Sequence, residues 1–188
     1  MNNDHTEYEG RVLDIDKGAV RRKLADCGAE LIAKKDYRRY VFNTIPAIKD
    51  RWVRLRTDGQ GIKLTVKEMT RATVDGVQEW ETVVDDFETT LTMLKKMGLK
   101  PKGYQENRRE LYMLNGVKLS IDEWPGLNPL LEIEGHSKSD VYDTLSRLEI
   151  DDDQLTASSI SQIYLDELGV DLDTVAELKF NSAIGSTD

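Results

Sequence analysis

Residues 52–68 read Trp52-Val53-Arg54-Leu55-Arg56-Thr57, then Asp58-Gly59-Gln60-Gly61 and Ile62, then Lys63-Leu64-Thr65-Val66-Lys67-Glu68. Two runs rich in β-branched residues, separated by a cluster of turn formers, predict two strands of a hairpin. Side chains alternate across a strand, so Arg54 and Arg56 share one face, and Lys63, Thr65 and Lys67 share another. Val53, Leu55, Leu64 and Val66 take the opposite faces. Gly59-Gln60-Gly61 is not a phosphate-cradling glycine loop, because the third glycine is missing and no helix follows.

The same two-residue period extends outward along the chain. Glu7 to Leu13, Arg38 to Asn43, Val77 to Val84, Gln105 to Met113, Lys118 to Asp122 and Leu130 to Glu134 are the remaining strand candidates. Asp75-Gly76 and Asn115-Gly116 read as hairpin turns. Helices are expected over about Lys17–Cys27, with Asp16 as N-cap, over about Asp86–Met97, after Ser137 or Ser139, and over about Ser158–Leu168. Eight strands joined by short turns favour an α+β chain with an antiparallel sheet able to close into a barrel, helices packed outside. No linker divides the chain, so residues 1–180 are expected to form one domain and 181–188 a flexible tail.

Composition narrows the function classes. Of 188 residues, 39% are hydrophobic, an ordinary globular share that argues against a mainly disordered chain. Asp and Glu number 35 against 26 Lys and Arg, a net charge of −9, so nucleic acid and anionic membranes are unlikely partners. No run of 18 apolar residues offers a membrane-spanning helix, and Met1–His5 lack the basic and apolar parts of a secretory signal. Cys27 is the single cysteine, which excludes a disulfide framework and a cysteine-based zinc cluster; a reducing cytoplasm is the default compartment.

The sign of the charges is what stands out. Glu7, Glu9 and Arg11 share a face, as do Glu79 and Glu81, and Glu132 and Glu134. Alternation alone fits a sheet with one wet face. Wet faces mix their polar residues, however, whereas these strands separate into acidic and basic pairs. Like charges about 6.5–7 Å apart repel by roughly 2 kcal/mol at an effective dielectric of about 20, unless counter-charge is supplied. Acidic pairs without cysteine call for a hard divalent cation, Mg²⁺ or Mn²⁺. Basic pairs call for a polyanion with closely spaced oxygens. With the apolar faces covered by helices, the charged faces would point into a tunnel with acids on one wall and bases on the other. A metal-bridged triphosphate satisfies both walls.

An opening signature and six further blocks in order carry a resemblance. Glu7-Tyr8-Glu9-Gly10-Arg11 resembles the Glu-x-Glu-x-Lys signature of the CYTH family, the triphosphate tunnel metalloenzymes. Arg54-Leu55-Arg56, Leu64-Thr65-Val66-Lys67, Glu79-Trp80-Glu81, Arg109, Asp122 and Leu131-Glu132-Ile133-Glu134 follow in the family's order. The resemblance covers roughly residues 7 to 170. It implies a closed eight-stranded antiparallel barrel, with Glu7, Glu9, Asp122, Glu132 and Glu134 as metal ligands or their supports. By the same resemblance Arg11, Arg54, Arg56, Lys67 and Arg109 hold phosphate oxygens, with Lys63 and Arg108 as further members. Glu79 and Glu81, together with Glu9, are the catalytic candidates, orienting bases, water or a second metal. Arg11 departs from the signature's lysine: it keeps the charge but cannot act as a neutral base.

Two reactions share this charge pattern. Water attacking a nucleoside, thiamine or inorganic triphosphate gives a triphosphatase, the leading expectation; attack by the 3′-hydroxyl of ATP on its α-phosphate gives cyclic AMP and pyrophosphate. A non-catalytic polyphosphate-binding module would need the bases more than the acids. Trp52, Tyr37, Tyr40 and Phe42 are candidates to flank a base, although packing is their commoner role. The oligomeric state, a homodimer included, is left open.

Overall fold

The computed structural model describes residues 5–182; of the expected tail, residues 183–188 lie outside the described residues. Ten strands and four helices follow one another: β1 (Thr6–Val12), α1 (Lys17–Asp26), β2 (Glu30–Asn43), β3 (Arg51–Thr57), β4 (Ile62–Met69), β5 (Val77–Val83), α2 (Phe87–Lys96), β6 (Pro101–Leu114), β7 (Val117–Glu123), β8 (Leu130–Gly135), α3 (Lys138–Arg147), β9 (Leu155–Thr156), α4 (Ile160–Leu168) and β10 (Glu177–Leu178).

Strands β6-β2-β3-β4-β5-β1-β8-β7 pair in that order, and β7 pairs back onto β6, which closes an eight-stranded barrel with every pairing antiparallel. The two-residue strands β9 and β10 are additions at its ends, β9 taking over from β5 beside Arg11 and Val12 of β1. Closure removes the exposed sheet edges that an open sheet would leave.

Helix starts follow the capping residues. Asp16, Asp86, Ser137 and Ser159 each accept a hydrogen bond from the backbone N–H three residues on. Val20 and Leu24 of α1 and Val141 and Leu145 of α3 pack on the outward side chains of β1, β7 and β8, among them Leu119, Ile121, Leu131 and Ile133. Phe87, Leu91 and Leu94 of α2 cover Phe42, Val53 and Leu55. Tyr164 of α4 joins Trp124, Leu130, Leu172 and Leu178 in a third cluster. With outer faces buried in these clusters, the opposite side chains of each strand turn inward.

Three expectations are corrected. β2 begins at Glu30, eight residues before the predicted Arg38, and β6 begins at Pro101 rather than Gln105. The early part of β2 pairs along β6 with no buried residue before Arg39 and with charged side chains on both faces (Lys34, Lys35 and Asp36), so its sequence lacks the apolar-polar alternation that marks a strand. Asp75-Gly76 is not a two-residue turn: residues 70–76 form a longer connection whose buried Val74 accepts a hydrogen bond from Glu9 N. A Cβ at Gly76 would lie 1.8 Å from Arg71 O, so close backbone approach demands glycine there. Asn115-Gly116 does make the tight turn, both residues having positive φ (51° and 86°). Finally, the helices do not cover every outer face: Trp80 on β5 remains 40% exposed, with the His5 ring 5.2 Å away.

Candidate active site

Inside the barrel lies a cavity of about 140 Å³ lined almost entirely by charged side chains. Strand β1 supplies Glu7, Glu9 and Arg11; β3 supplies Arg54 and Arg56; β4 supplies Lys63 and Lys67; β5 supplies Glu79 and Glu81; β8 supplies Glu132 and Glu134. Arg109 enters from β6, and its guanidinium grips Asp122 of β7 with two hydrogen bonds of 2.7 and 2.5 Å. The sequence-predicted site residues therefore converge, with one exception. Arg108 alternates with Arg109 on the same strand and faces outward, its side chain 53% exposed, 3.5 Å from Asp36 and stacked on Phe180. Adjacent residues of one strand cannot both point into the barrel.

The charges interlock and do not form two separate walls. Lys67 Nζ sits among three carboxylates, 2.5 Å from Glu7, 3.1 Å from Glu79 and 3.8 Å from Glu9. Arg11 bridges Glu9 at 3.0 Å and Glu132 at 2.7 Å, and donates to Ser158 O. Arg109 also reaches Glu132, at 2.8 Å. Arg54 lies 3.3 Å from Glu79, Arg56 3.9 Å from Glu81, and Lys63 2.5 Å from Glu81, which also accepts from the Thr65 hydroxyl. Much of the counter-charge that the sequence pattern demanded comes from the protein itself.

Burial shapes the protonation states. At Glu7, desolvation outweighs Lys67, and Glu9 and Glu79 add repulsion, so its carboxyl is pushed up to about 7. Burial works the same way at Glu9 and Glu132, but Arg11 with Lys67, and Arg109 with Arg11, overcome it and hold both below the ordinary range. Arg56 is lowered to about 10 by burial and by the neighbouring Arg54 and Arg109. Among the described residues, the buried side-chain polar atoms left without a partner are all donors: Nε of Arg11, Arg39 and Arg54, and Nε1 of Trp124. Each of these residues lines the cavity.

Sequence reasoning missed four contributors. Arg39 of β2, Lys118 of β7 and Trp124 line the cavity, and buried Asn107 of β6 accepts from Arg39. Lys118 pairs with Glu134 at 2.6 Å. Strand parity would have found two of them, since Lys118 alternates with Asp122, and Asn107 with Arg109. Of the aromatic candidates, Phe42 is fully buried in the α2 cluster and Tyr40 packs against Phe87 and Tyr104. Tyr37 lies under Arg56 in a mouth of about 410 Å³ that shares Arg56, Lys63, Arg109, Lys118 and Glu134 with the inner cavity. Trp52 lines a separate outer cavity of about 460 Å³, which shares Ile160 with the inner one.

Among the described residues no group of three or more carboxylates or histidines stands ready to hold a metal ion. The donor set is nonetheless all oxygen, which suits a hard divalent cation. Glu7 is desolvated beside Glu9 and Glu79, with Lys67 as its counter-charge.

Comparison with known proteins agrees with this geometry. The family model of the CYTH domain matches residues 5–166. A Methanocaldococcus jannaschii protein, whose name marks it as a candidate adenylate cyclase, is 29% identical over 160 residues, covering 83% of this chain and 91% of the relative. A solved Pyrococcus horikoshii structure superposes with a TM-score of 0.72 at 20% identity, over 81% of this chain and 96% of that one. A Hippeastrum protein, described as an adenylyl cyclase candidate with a dominant triphosphatase activity, superposes with a TM-score of 0.56 at 16% identity, over 88% and 98% of the two chains. No helix of the described residues is long and apolar enough to cross a membrane.

Proposed function

The chain belongs to the CYTH family, and from that premise we propose that it is a metal-dependent triphosphatase that binds a triphosphate chain inside the barrel and hydrolyses it. One observation carries the reading. The unsatisfied buried side-chain atoms among the described residues are all N–H donors, and all belong to residues around one cavity. Buried donors without acceptors are costly, and an acceptor-rich polyanion relieves them together.

Arg54, Arg56, Lys67 and Arg109 are placed to hold phosphate oxygens, with Arg11 and Lys63 beside them. Their fixed positive charge stabilises the negative charge that develops as the phosphoanhydride bond breaks, in a site preorganised by ion pairs. Glu79 and Glu81 orient Arg54 and Arg56 and offer acceptor oxygens to an attacking water. Glu7, Glu9, Glu132 and Glu134, supported by Asp122, would hold Mg²⁺ or Mn²⁺. Such a cation, when bound, neutralises phosphate oxygens and polarises phosphorus.

The small, charged inner cavity supports hydrolysis over cyclisation, because cyclisation requires a ribose beside the α-phosphate. Cyclic AMP formation remains the second reading, favoured by the Methanocaldococcus relative and by the outer cavity beside Trp52, which has room for a nucleoside. Turnover of tripolyphosphate, thiamine triphosphate, ATP and GTP with Mg²⁺ or Mn²⁺, with products resolved, tests both. Orthophosphate release is expected. Cyclic AMP with pyrophosphate would reverse the ranking, and binding without turnover would leave a sequestering module.

A further inference from the structure

Arg39 is the one basic side chain lining the cavity that has no ion pair with a carboxylate among the described residues. It is 6% exposed, it donates to neutral Asn107, and its Nε has no partner. Its guanidinium lies 4.6 Å over the ring of Trp124, whose own Nε1 is also buried without an acceptor. The barrel register sharpens the anomaly. Arg39 on β2 stands directly opposite Arg56 on β3, and Arg56 directly opposite Lys63 on β4. Like charges facing each other across strands destabilise a sheet. A guanidinium remains charged in such surroundings, so the row is short of negative charge.

We propose that Arg39 is a further phosphate-binding residue of this site, its guanidinium and that of Arg56 clamping one phosphoryl group of the triphosphate from adjacent strands. The inference rests on the triphosphate-tunnel reading and adds to it the β2 side of the cavity. A planar fork with free donors matches phosphoryl oxygens, and the flat ring of Trp124 holds it in place without consuming a donor. Arg54 and Arg109, the other arginines that repel Arg39, face the same anion. Ion pairs fix the remaining cations in the absence of ligand. Arg39 is held by stacking and by one hydrogen bond to a neutral amide, with no carboxylate to release before it engages an anion.

Tripolyphosphate titrated calorimetrically into wild type, Arg39→Gln, Arg39→Lys and Arg56→Ala, in metal-free buffer, tests this, with thermal melts of each protein alone and with the ligand. Arg39→Gln is expected to weaken binding about 10- to 100-fold, the loss of a charge-assisted contact. Its melting temperature without ligand should equal or exceed that of wild type, because a repelled buried charge is gone. Arg39→Lys should recover part of the affinity, which a packing role would not predict. If Arg56→Ala loses affinity while Arg39→Gln binds as wild type and melts lower, Arg39 is a structural cation and the inference falls while the tunnel reading stands. If wild type itself does not bind tripolyphosphate, both fall.

Discussion

Replacing Glu7 by Gln should stabilise the metal-free protein above neutral pH. In the fold, Glu7 is ionised only above about 7, against an ordinary value of 4.5, because burial and the charges of Glu9 and Glu79 outweigh Lys67 at 2.5 Å. A carboxyl whose folded value is raised contributes fully below its unfolded value, and that contribution drains away as pH climbs through the folded one. Between 4.5 and about 7 the difference is about 3 kcal/mol at 1.36 kcal/mol per pH unit, an upper limit because the site can relax. Glutamine keeps the shape and an acceptor for Lys67, which retains Glu79 at 3.1 Å. Urea unfolding with a chelator should therefore find Glu7→Gln close to wild type at pH 5 and more stable by up to about 3 kcal/mol at pH 8. Added Mg²⁺ should raise wild type at pH 8 more than the variant. A variant less stable than wild type at both pH values would refute the reasoning, since Glu7 would then be a net stabilising partner of Lys67.

Glu9→Gln and Glu134→Gln should each abolish metal-dependent turnover while leaving the melting transition cooperative; wild-type rates in both would remove the carboxylates from the chemistry. Arg108→Ala should leave tripolyphosphate affinity and turnover unchanged, because its side chain is outside the barrel, and a tenfold loss of affinity in a binding titration would contradict that placement. Gly76→Ala should destabilise by about 1–3 kcal/mol, the range of overpacking, since its Cβ would collide with Arg71 O. An unchanged urea midpoint would show that the 70–76 connection yields freely.

The barrel was legible because its inward and outward faces differ so sharply in polarity. Val53, Leu55 and Ile133 mark the faces that pack under helices, and the residues between them carry charge. The start of α1 was legible from Asp16, whose side chain does accept the capping hydrogen bond from Ala19 N. The first half of β2 was not, because it pairs as an exposed ribbon in which Leu31 and Ile32 sit side by side in solvent. Within the site, Arg54, Arg56 and Lys67 stood out because like charges recur at every second position. Arg39 did not: Tyr37 and Val41 are its same-face neighbours, and Arg38 beside it points away. The pairing of acid with base across β4, β5, β1 and β8 could not be read from any single strand, because it depends on the register that closure imposes.

Manganese anomalous diffraction from crystals soaked with Mn²⁺ and tripolyphosphate tests the central claim most directly. The account predicts a manganese peak against Glu7, Glu9, Glu132 or Glu134, with phosphate density running from it toward Arg54, Arg56 and Lys67 inside the barrel. Manganese and phosphate found only on the outer surface, with the interior ion pairs intact, would contradict it.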